Sequence, residues 1–435
     1  MRSRFQGLLV PLTLAVLCIA MFPVRAAGGE PATVFTAPPA DAVPVGSSLT
    51  LAEALRLALA HNPELAMARL EVQALEGAET QAGARPNPEL GVLVEDSRSA
   101  TRTTTVQWSQ AIELGGKRSA RLAAAASARE QAGVALLARQ AEVRAAVTSA
   151  FFALLGAQEQ VRLSQMSLEL ASKTSGVATR RLQAGKVPPL EQAKAQVAEA
   201  GARADLAQAN SELSLARQRL RALWGQGAIE FTQAEGNAEA LPELPAQQRL
   251  GEWMAEAPAV RLARLDIARR QAVSEGERAK RVPDLTVTLG AKRAADMGRT
   301  QAVIGLSIPL PLLDRNQGNL LEALRREDQA REALAAATSR LQAEVGQSLE
   351  KLRLSREQSQ MLRREALPTA TTAYEAAVKG YELGKFAFID VLDAQRTLVQ
   401  TQQQILRSTA DAYRAAAELD RLLGHTAGAD GHSLE

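Results

Sequence analysis

A chain of 435 residues can bury a large core, yet only 3% of these residues are aromatic, too few for the usual interior of a compact enzyme. Ala, Leu, Gln, Arg and Glu dominate in long stretches free of Gly and Pro, which is the composition of long helices or coiled coil. The 51 basic and 48 acidic side chains leave a formal charge of +3 and interleave along the chain, so nothing in the charge favours nucleic acid as a partner.

Arg2 and Arg4 precede an apolar run at residues 8–22, and Pro23-Val24-Arg25-Ala26 follows. This is the layout of a secretory signal peptide over residues 1–26, cut after Ala26. The single cysteine, Cys18, lies inside the apolar run behind Val16-Leu17 rather than behind small residues. That argues against a lipid anchor, and it leaves the exported chain without a thiol for disulfides or Cys-based metal sites. No later stretch reaches the ~18 apolar residues of a membrane-crossing helix, so any span has to be a β-barrel.

Residues 27–48, rich in Pro, Gly and Ala, read as an extended N-terminal segment. Thr50 and Glu53 form a capping-box pattern that opens a helix to His61-Asn62, and Pro63 starts a second helix ending near Gly83. Two segments of period-2 alternation follow, at about 88–96 (Leu90, Val92, Val94) and 102–112 (Val106, Trp108, Ile112), and these predict half-apolar strands. Past Glu113-Leu114-Gly115-Gly116-Lys117-Arg118 a helix is expected over 117–182, long enough to span about 100 Å. A tip at Gly185-Lys186-Val187-Pro188-Pro189 reverses the chain into a returning helix over 188–223, where Leu206, Leu213 and Leu220 are spaced by heptads.

After a linker over 226–246 the order repeats. Asn62-Pro63 is matched by Ala257-Pro258, Pro88-Glu89-Leu90 by Pro283-Asp284-Leu285, Gly116-Lys117 by Asp314-Arg315, and Leu223-Trp224-Gly225 by Leu422-Leu423-Gly424, at a separation of roughly 195 to 199 residues. The chain is an internal duplication, with one repeat over 49–225 and another over 247–424. The second repeat has strands at about 284–293 and 299–309 and long helices at about 316–380, capped by Asn316, and 387–424. The last helix carries Val391/Leu392, Leu398/Val399, Ile405/Leu406, Ala412/Tyr413 and Leu419 at a seven-residue period, and residues 425–435 form a polar tail.

Four strands with one apolar face cannot close a membrane barrel, for which about eight are the minimum. The pattern therefore predicts a mainly α protein whose copies pool their strands in an outer-membrane β-barrel continued by a bundle of coiled-coil hairpins. The layout resembles the TolC-type outer-membrane efflux factors over nearly all of the exported chain. Tyr381-Glu382-Leu383-Gly384 with Ile389-Asp390-Val391-Leu392-Asp393-Ala394 is similar to that family's second periplasmic hairpin. Gln110-Ala111-Ile112 with Glu113, Leu114, Gly115, Gly116, Lys117 and Arg118 resembles the CzcC-like branch, which serves heavy-metal pumps of the resistance-nodulation-division class. The resemblance implies a homotrimer with a twelve-stranded barrel and a helical tunnel in the periplasm. It also implies a periplasmic adaptor (membrane fusion) protein and an inner-membrane pump as partners, outer-membrane lipid around the barrel, and export of heavy-metal cations.

Carried onto this sequence, the resemblance makes Asp390 and Asp393 the carboxylates around the closed periplasmic entrance and Tyr381 the gate tyrosine. Gly185, Lys186, Gly384 and Lys385 become tips that also meet the adaptor. Where the family's gate has an arginine two residues after the glycine, this chain has Phe386; offset by the duplication, Glu191 and Lys194 stand opposite the aspartates. A structural reading competes at each place. Acids in a first helical turn are favoured by the helix dipole, tip glycines by their turns, and Trp108 is either an interfacial anchor or a lipid-facing aromatic. His61, His425 and His432 are scattered, and no metal site, cofactor, nucleophile–base set or phosphate loop is expected. The alternatives are a duct for drugs or secreted protein and, in another class, a periplasmic coiled-coil adaptor without a barrel.

Overall fold

The computed structural model describes residues 48–225, 231–237 and 240–424. The expected signal peptide, the N-terminal segment up to residue 47 and the tail at 425–435 lie outside the described residues. Chain order is β1 (Ser48–Leu49), α1 (Leu51–His61), α2 (Pro63–Ala82), β2 (Glu89–Glu95), β3 (Thr103–Ile112), α3 (Lys117–Gln183), α4 (Pro189–Ala222) and β4 (Gln233–Ala234), then α5 (Gln247–Glu256), α6 (Pro258–Ala279), β5 (Leu285–Ala294), β6 (Arg299–Ser307), α7 (Gln317–Met361), α8 (Leu367–Glu382) and α9 (Phe388–Leu423). Among the described residues no helix is long and apolar enough to cross a membrane.

Local signals account for the helix starts. Thr50 Oγ1 accepts the Glu53 N–H at 3.3 Å while Glu53 Oε2 accepts the Thr50 N–H at 3.0 Å, which closes a capping box. Asn62 caps α2 through the N–H groups of Glu64 and Leu65, and its amide also donates to Leu223 O at 2.7 Å, so one side chain fastens the small helices to the end of α4. Asn316 does not cap α7 with its side chain. It sits at φ +55° and its amide donates to Glu277 O at 2.9 Å, tying the start of α7 back to α6.

The helix expected over 316–380 is not continuous. A π-turn at Leu362–Ala366 separates α7 from α8, with Pro368 at the start of α8. Proline has no N–H to give and its ring crowds the carbonyl four residues earlier, and the wider π-turn absorbs both faults. The first repeat has no proline in this region, and α3 runs unbroken for 67 residues.

The two strand pairs form one antiparallel sheet in the order β2-β3-β5-β6. Leu90, Trp108, Leu289 and Ile304 stand in one row across it, and Val92, Val106, Ala291 and Ala302 in the next row on the same face. Ile304 is 77% and Leu90 73% exposed, so among the described residues nothing covers this apolar face. The other face carries Glu89, Ser109, Thr288 and Gly305, then Gly91, Gln107, Gly290 and Val303, then Leu93, Thr105, Lys292 and Gln301. A Cβ on Gly290 would lie 2.6 Å from Val106 O, so only glycine allows the backbones to approach this closely. Residues 96–102 and 295–298 make the two hairpin links. In the first, Asp96 accepts the Arg98 N–H at 3.0 Å and the Thr101 hydroxyl at 2.5 Å, which folds the link onto itself.

The helices bury two matching cores. Leu65, Phe151, Leu154, Leu220 and Trp224 centre the first, and Val260, Leu352, Leu419 and Leu423 the second. The contact stripe of α4 consists chiefly of Ala195, Ala202, Ala209 and Ala216, with Leu220, whereas Leu206 and Leu213 are only half-buried. Alanine wins these positions because it lets two helix axes approach closely.

Candidate functional site

The two hairpin tips are built alike. Gly185 and Gly384 adopt φ +68° and +75°, a left-handed conformation that costs other residues about 1–2 kcal/mol. Past each glycine the chain donates back to the outgoing helix, from Lys186 N–H to Arg181 O at 2.9 Å and from Lys385 N–H to Gly380 O at 2.8 Å. These bonds satisfy carbonyls that a helix end otherwise leaves bare. All four tip residues singled out in the sequence, Gly185, Lys186, Gly384 and Lys385, are exposed at these turns.

Between the tips lies a small core in which Tyr381, Phe388, Val391 and Leu392 pack on Ala178 and Ala195. The Tyr381 hydroxyl donates to Glu191 Oε1 at 2.7 Å, so the second hairpin is bonded to the start of α4 in the first. The Arg181 guanidinium stands 4.6 Å from the Tyr381 ring centroid and donates to Tyr381 O at 3.2 Å. Burial, joined by the bond to the Glu191 carboxylate, pushes the Tyr381 phenol above its ordinary pKa. The Phe386 ring packs against Gly380 so closely that no Cβ fits between them. The residue at the place of the family's arginine is thus packed on a bare Cα within its own hairpin.

Asp390 and Asp393 are both exposed, and among the described residues neither meets a cation. Asp390 Oδ2 accepts the Ala387 N–H at 2.9 Å, which satisfies a donor at the start of α9. Among the described residues no hydrogen bond joins either aspartate to Tyr381; the structure brings Tyr381 to Glu191 and Arg181 instead. Glu191 had a signal in the sequence, since the duplication sets it opposite Asp390. Arg181 had none, because its partner is reached only when two hairpins distant in sequence lie side by side.

A second constellation sits where the strands pass into the helices. Lys117 Nζ meets Asp284 Oδ1 at 2.7 Å, and the same oxygen accepts the Leu114 N–H at 3.0 Å. Gly115, at φ +71°, is pressed so close to Val282 that a Cβ would lie 2.7 Å from that side chain. Arg121 grips both Glu113 oxygens, at 2.7 and 3.2 Å, and reaches Ala82 O and Ala84 O. Arg118 donates to Gly83 O at 2.6 Å. Burial alone would push the Asp284 carboxyl up, but its bonds from Lys117 and Leu114 outweigh that and hold it below the usual carboxylate range. Arg121 holds Glu113 below that range as well. The motif at Glu113, Leu114, Gly115, Gly116, Lys117 and Arg118 is therefore a joint between repeats. Asp284 and Arg121, which complete it, carried no motif of their own. Among the described residues no group of three or more His, Cys, Asp or Glu is arranged to hold a metal ion.

The profile of the family described as outer membrane efflux protein matches residues 54–226 and 250–425, that is, both repeats. The chain is 45% identical over 376 residues to the cobalt-zinc-cadmium resistance protein CzcC of Cupriavidus metallidurans, covering 86% of this chain and 90% of that one. It is 30% identical to the nickel-cobalt-cadmium resistance protein NccC of Alcaligenes xylosoxydans xylosoxydans, over 66% of this chain and 65% of that one. The fold matches a crystal structure of CusC with a TM-score of 0.75 at 21% identity, covering 86% of this chain and 92% of that one. It matches the outer membrane protein VceC of Vibrio cholerae with a TM-score of 0.72 at 21% identity, over 86% and 96%. With its sheet of one apolar and one polar face, its paired helical hairpins and these similarities, the chain belongs to the outer membrane efflux protein family and is a protein of the outer membrane.

Proposed function

We propose that three copies of this chain pool their strands into one twelve-stranded barrel and their hairpins into one tunnel, and that heavy-metal cations leave the cell through it. The edges of β2 and β6, unpaired among the described residues, and the two-faced sheet support closure between copies, because an exposed edge calls for a partner and a membrane barrel needs an apolar outside and a polar lumen. The duct is passive: a periplasmic adaptor meets the tips at Gly185, Lys186, Gly384 and Lys385, and an inner-membrane pump of the resistance-nodulation-division class supplies the energy. At the entrance Tyr381 holds the second hairpin against the first through Glu191. Six carboxylates from Asp390 and Asp393 of three copies ring the aperture, attracting cations and repelling anions.

The observation that carries the cargo is the 45% identity to a cobalt-zinc-cadmium resistance protein across 90% of its length. A duct for other cargo has weaker support, in 26% identity to a pyoverdine export outer membrane protein of Pseudomonas aeruginosa. Deleting the gene and growing cells on graded Zn, Co, Cd, Ni, Cu and Ag, beside a panel of drugs, separates the two. The expected result is sensitivity to at least one metal that the intact gene restores. Sensitivity to drugs alone overturns the metal reading.

A further inference from the structure

The joint inside the chain has an unfilled counterpart. The strand-to-helix passage after β3 is bonded to the helix-to-strand passage before β5 through Lys117–Asp284, 2.7 Å apart. The second repeat has its own strand-to-helix passage, after the edge strand β6, and the first repeat has its own helix-to-strand passage, before the edge strand β2. Among the described residues neither meets such a partner. The passage after β6 leaves Leu310, Leu312 and Leu313 exposed at 75%, 73% and 93%.

The duplication sets Arg315 at the place of Lys117 and Glu89 at the place of Asp284. Both keep the sign of charge. Both are exposed, and among the described residues neither has an ion-pair partner. A second contact fixes the alignment independently. Arg118 donates to Gly83 O at 2.6 Å at the start of α3, and Asn316, one residue after Arg315 as Arg118 follows Lys117, donates to Glu277 O at 2.9 Å at the start of α7. Both repeats therefore dock this passage on their own preceding helix in the same way, and among the described residues the outward half of the second joint lacks its mate.

We propose that Arg315 of one copy pairs with Glu89 of the partner subunit, repeating between copies the bond that Lys117 and Asp284 make within one. The partner is a second copy of this chain. β6 then continues into the partner's sheet edge as β3 continues into β5, and Leu312 and Leu313 close over the link at residues 84–87 of the partner subunit. This rests on the association of copies proposed above and adds its register.

The test is charge reversal with rescue in the full-length protein, purified in detergent, reading the temperature at which the oligomer separates into monomers on gels run without boiling. Arg315→Glu and Glu89→Arg are each expected to lower that temperature by roughly 2–4 °C, and the double variant to restore it. Arg315→Gln and Glu89→Gln replace the reversals if repulsion blocks assembly; each is then expected to lower the temperature and the double to add nothing further. Unchanged single variants overturn the pairing, as does a double variant whose loss is the sum of the two. A wild-type protein that is monomeric both in detergent and after cross-linking in membranes overturns the association itself.

Discussion

The Asp390 carboxylate accepts a hydrogen bond from Ala387 N–H at 2.9 Å, and the helix dipole favours an acid there by about 0.3–1 kcal/mol. Asparagine keeps the acceptor and drops the charge, so Asp390→Asn with Asp393→Asn separates the two properties. In planar bilayers, block of the channel by multivalent cations is expected to fall several-fold, with thermal stability within about 1 kcal/mol of the parent. Undiminished block would remove the aspartates from the entrance mechanism. Side chains that act within their own turn, such as Thr50 and the two tip glycines, were legible in the sequence, because each announces itself within a few residues. Arg181 and Asp284 act across two hairpins or two repeats and carried no local signal, the duplication alone marked Glu191, and the resemblance pointed to Phe386 only as a departure. Its seat on Gly380 became visible once the turn had brought them together.

Helix α7 ends in a π-turn because Pro368 interrupts a pattern that is otherwise helical on both sides. The helix expected over 316–380 runs through the proline on paper, and the cost appears only in the backbone. Replacing Pro368 by Ala restores a donor and removes the ring, a change worth about 3 kcal/mol in an ordinary helix interior. Amide exchange across residues 362–366 is expected to slow in Pro368→Ala, as the segment relaxes into regular helix. Unchanged exchange there would show that packing against α9, not the proline, sets the π-turn. The strands were easier to read than this helix: alternation alone separates the row of Leu90, Trp108, Leu289 and Ile304 from the polar face behind it. The alanine stripe of α4 was missed because leucines at the same period drew the eye, and burial follows the closeness of the axes rather than hydrophobicity.

For the molecule as a whole, the joint of Glu113, Arg121, Lys117 and Asp284 ties the sheet to the helices and one repeat to the other. Asp284 and Glu113 are both held below their ordinary carboxylate range in the folded chain. Their contribution to stability is therefore complete above the unfolded values of about 4 and is lost as pH falls through the lowered folded values. Thermal unfolding in detergent is expected to be insensitive to this joint from neutrality to about pH 5 and to weaken below about pH 4. Asp284→Asn should remove part of that acid dependence; an identical acid slope in the variant would show that other carboxylates carry it.

The hairpin links lie at the far end of the strands from the helices, so in the barrel proposed above they are what the protein shows to the world outside the cell. One spans residues 96–102 and is drawn in on Asp96 by its own hydrogen bonds; the other is the short turn at residues 295–298. Among the described residues, a phage fibre, an antibody or a bacteriocin arriving from outside would meet these two exposed turns, and Arg98 and Arg102 give the longer one a basic character. The polar turns at the mouth of the barrel are thus both the exit side of the duct and the face open to recognition from outside.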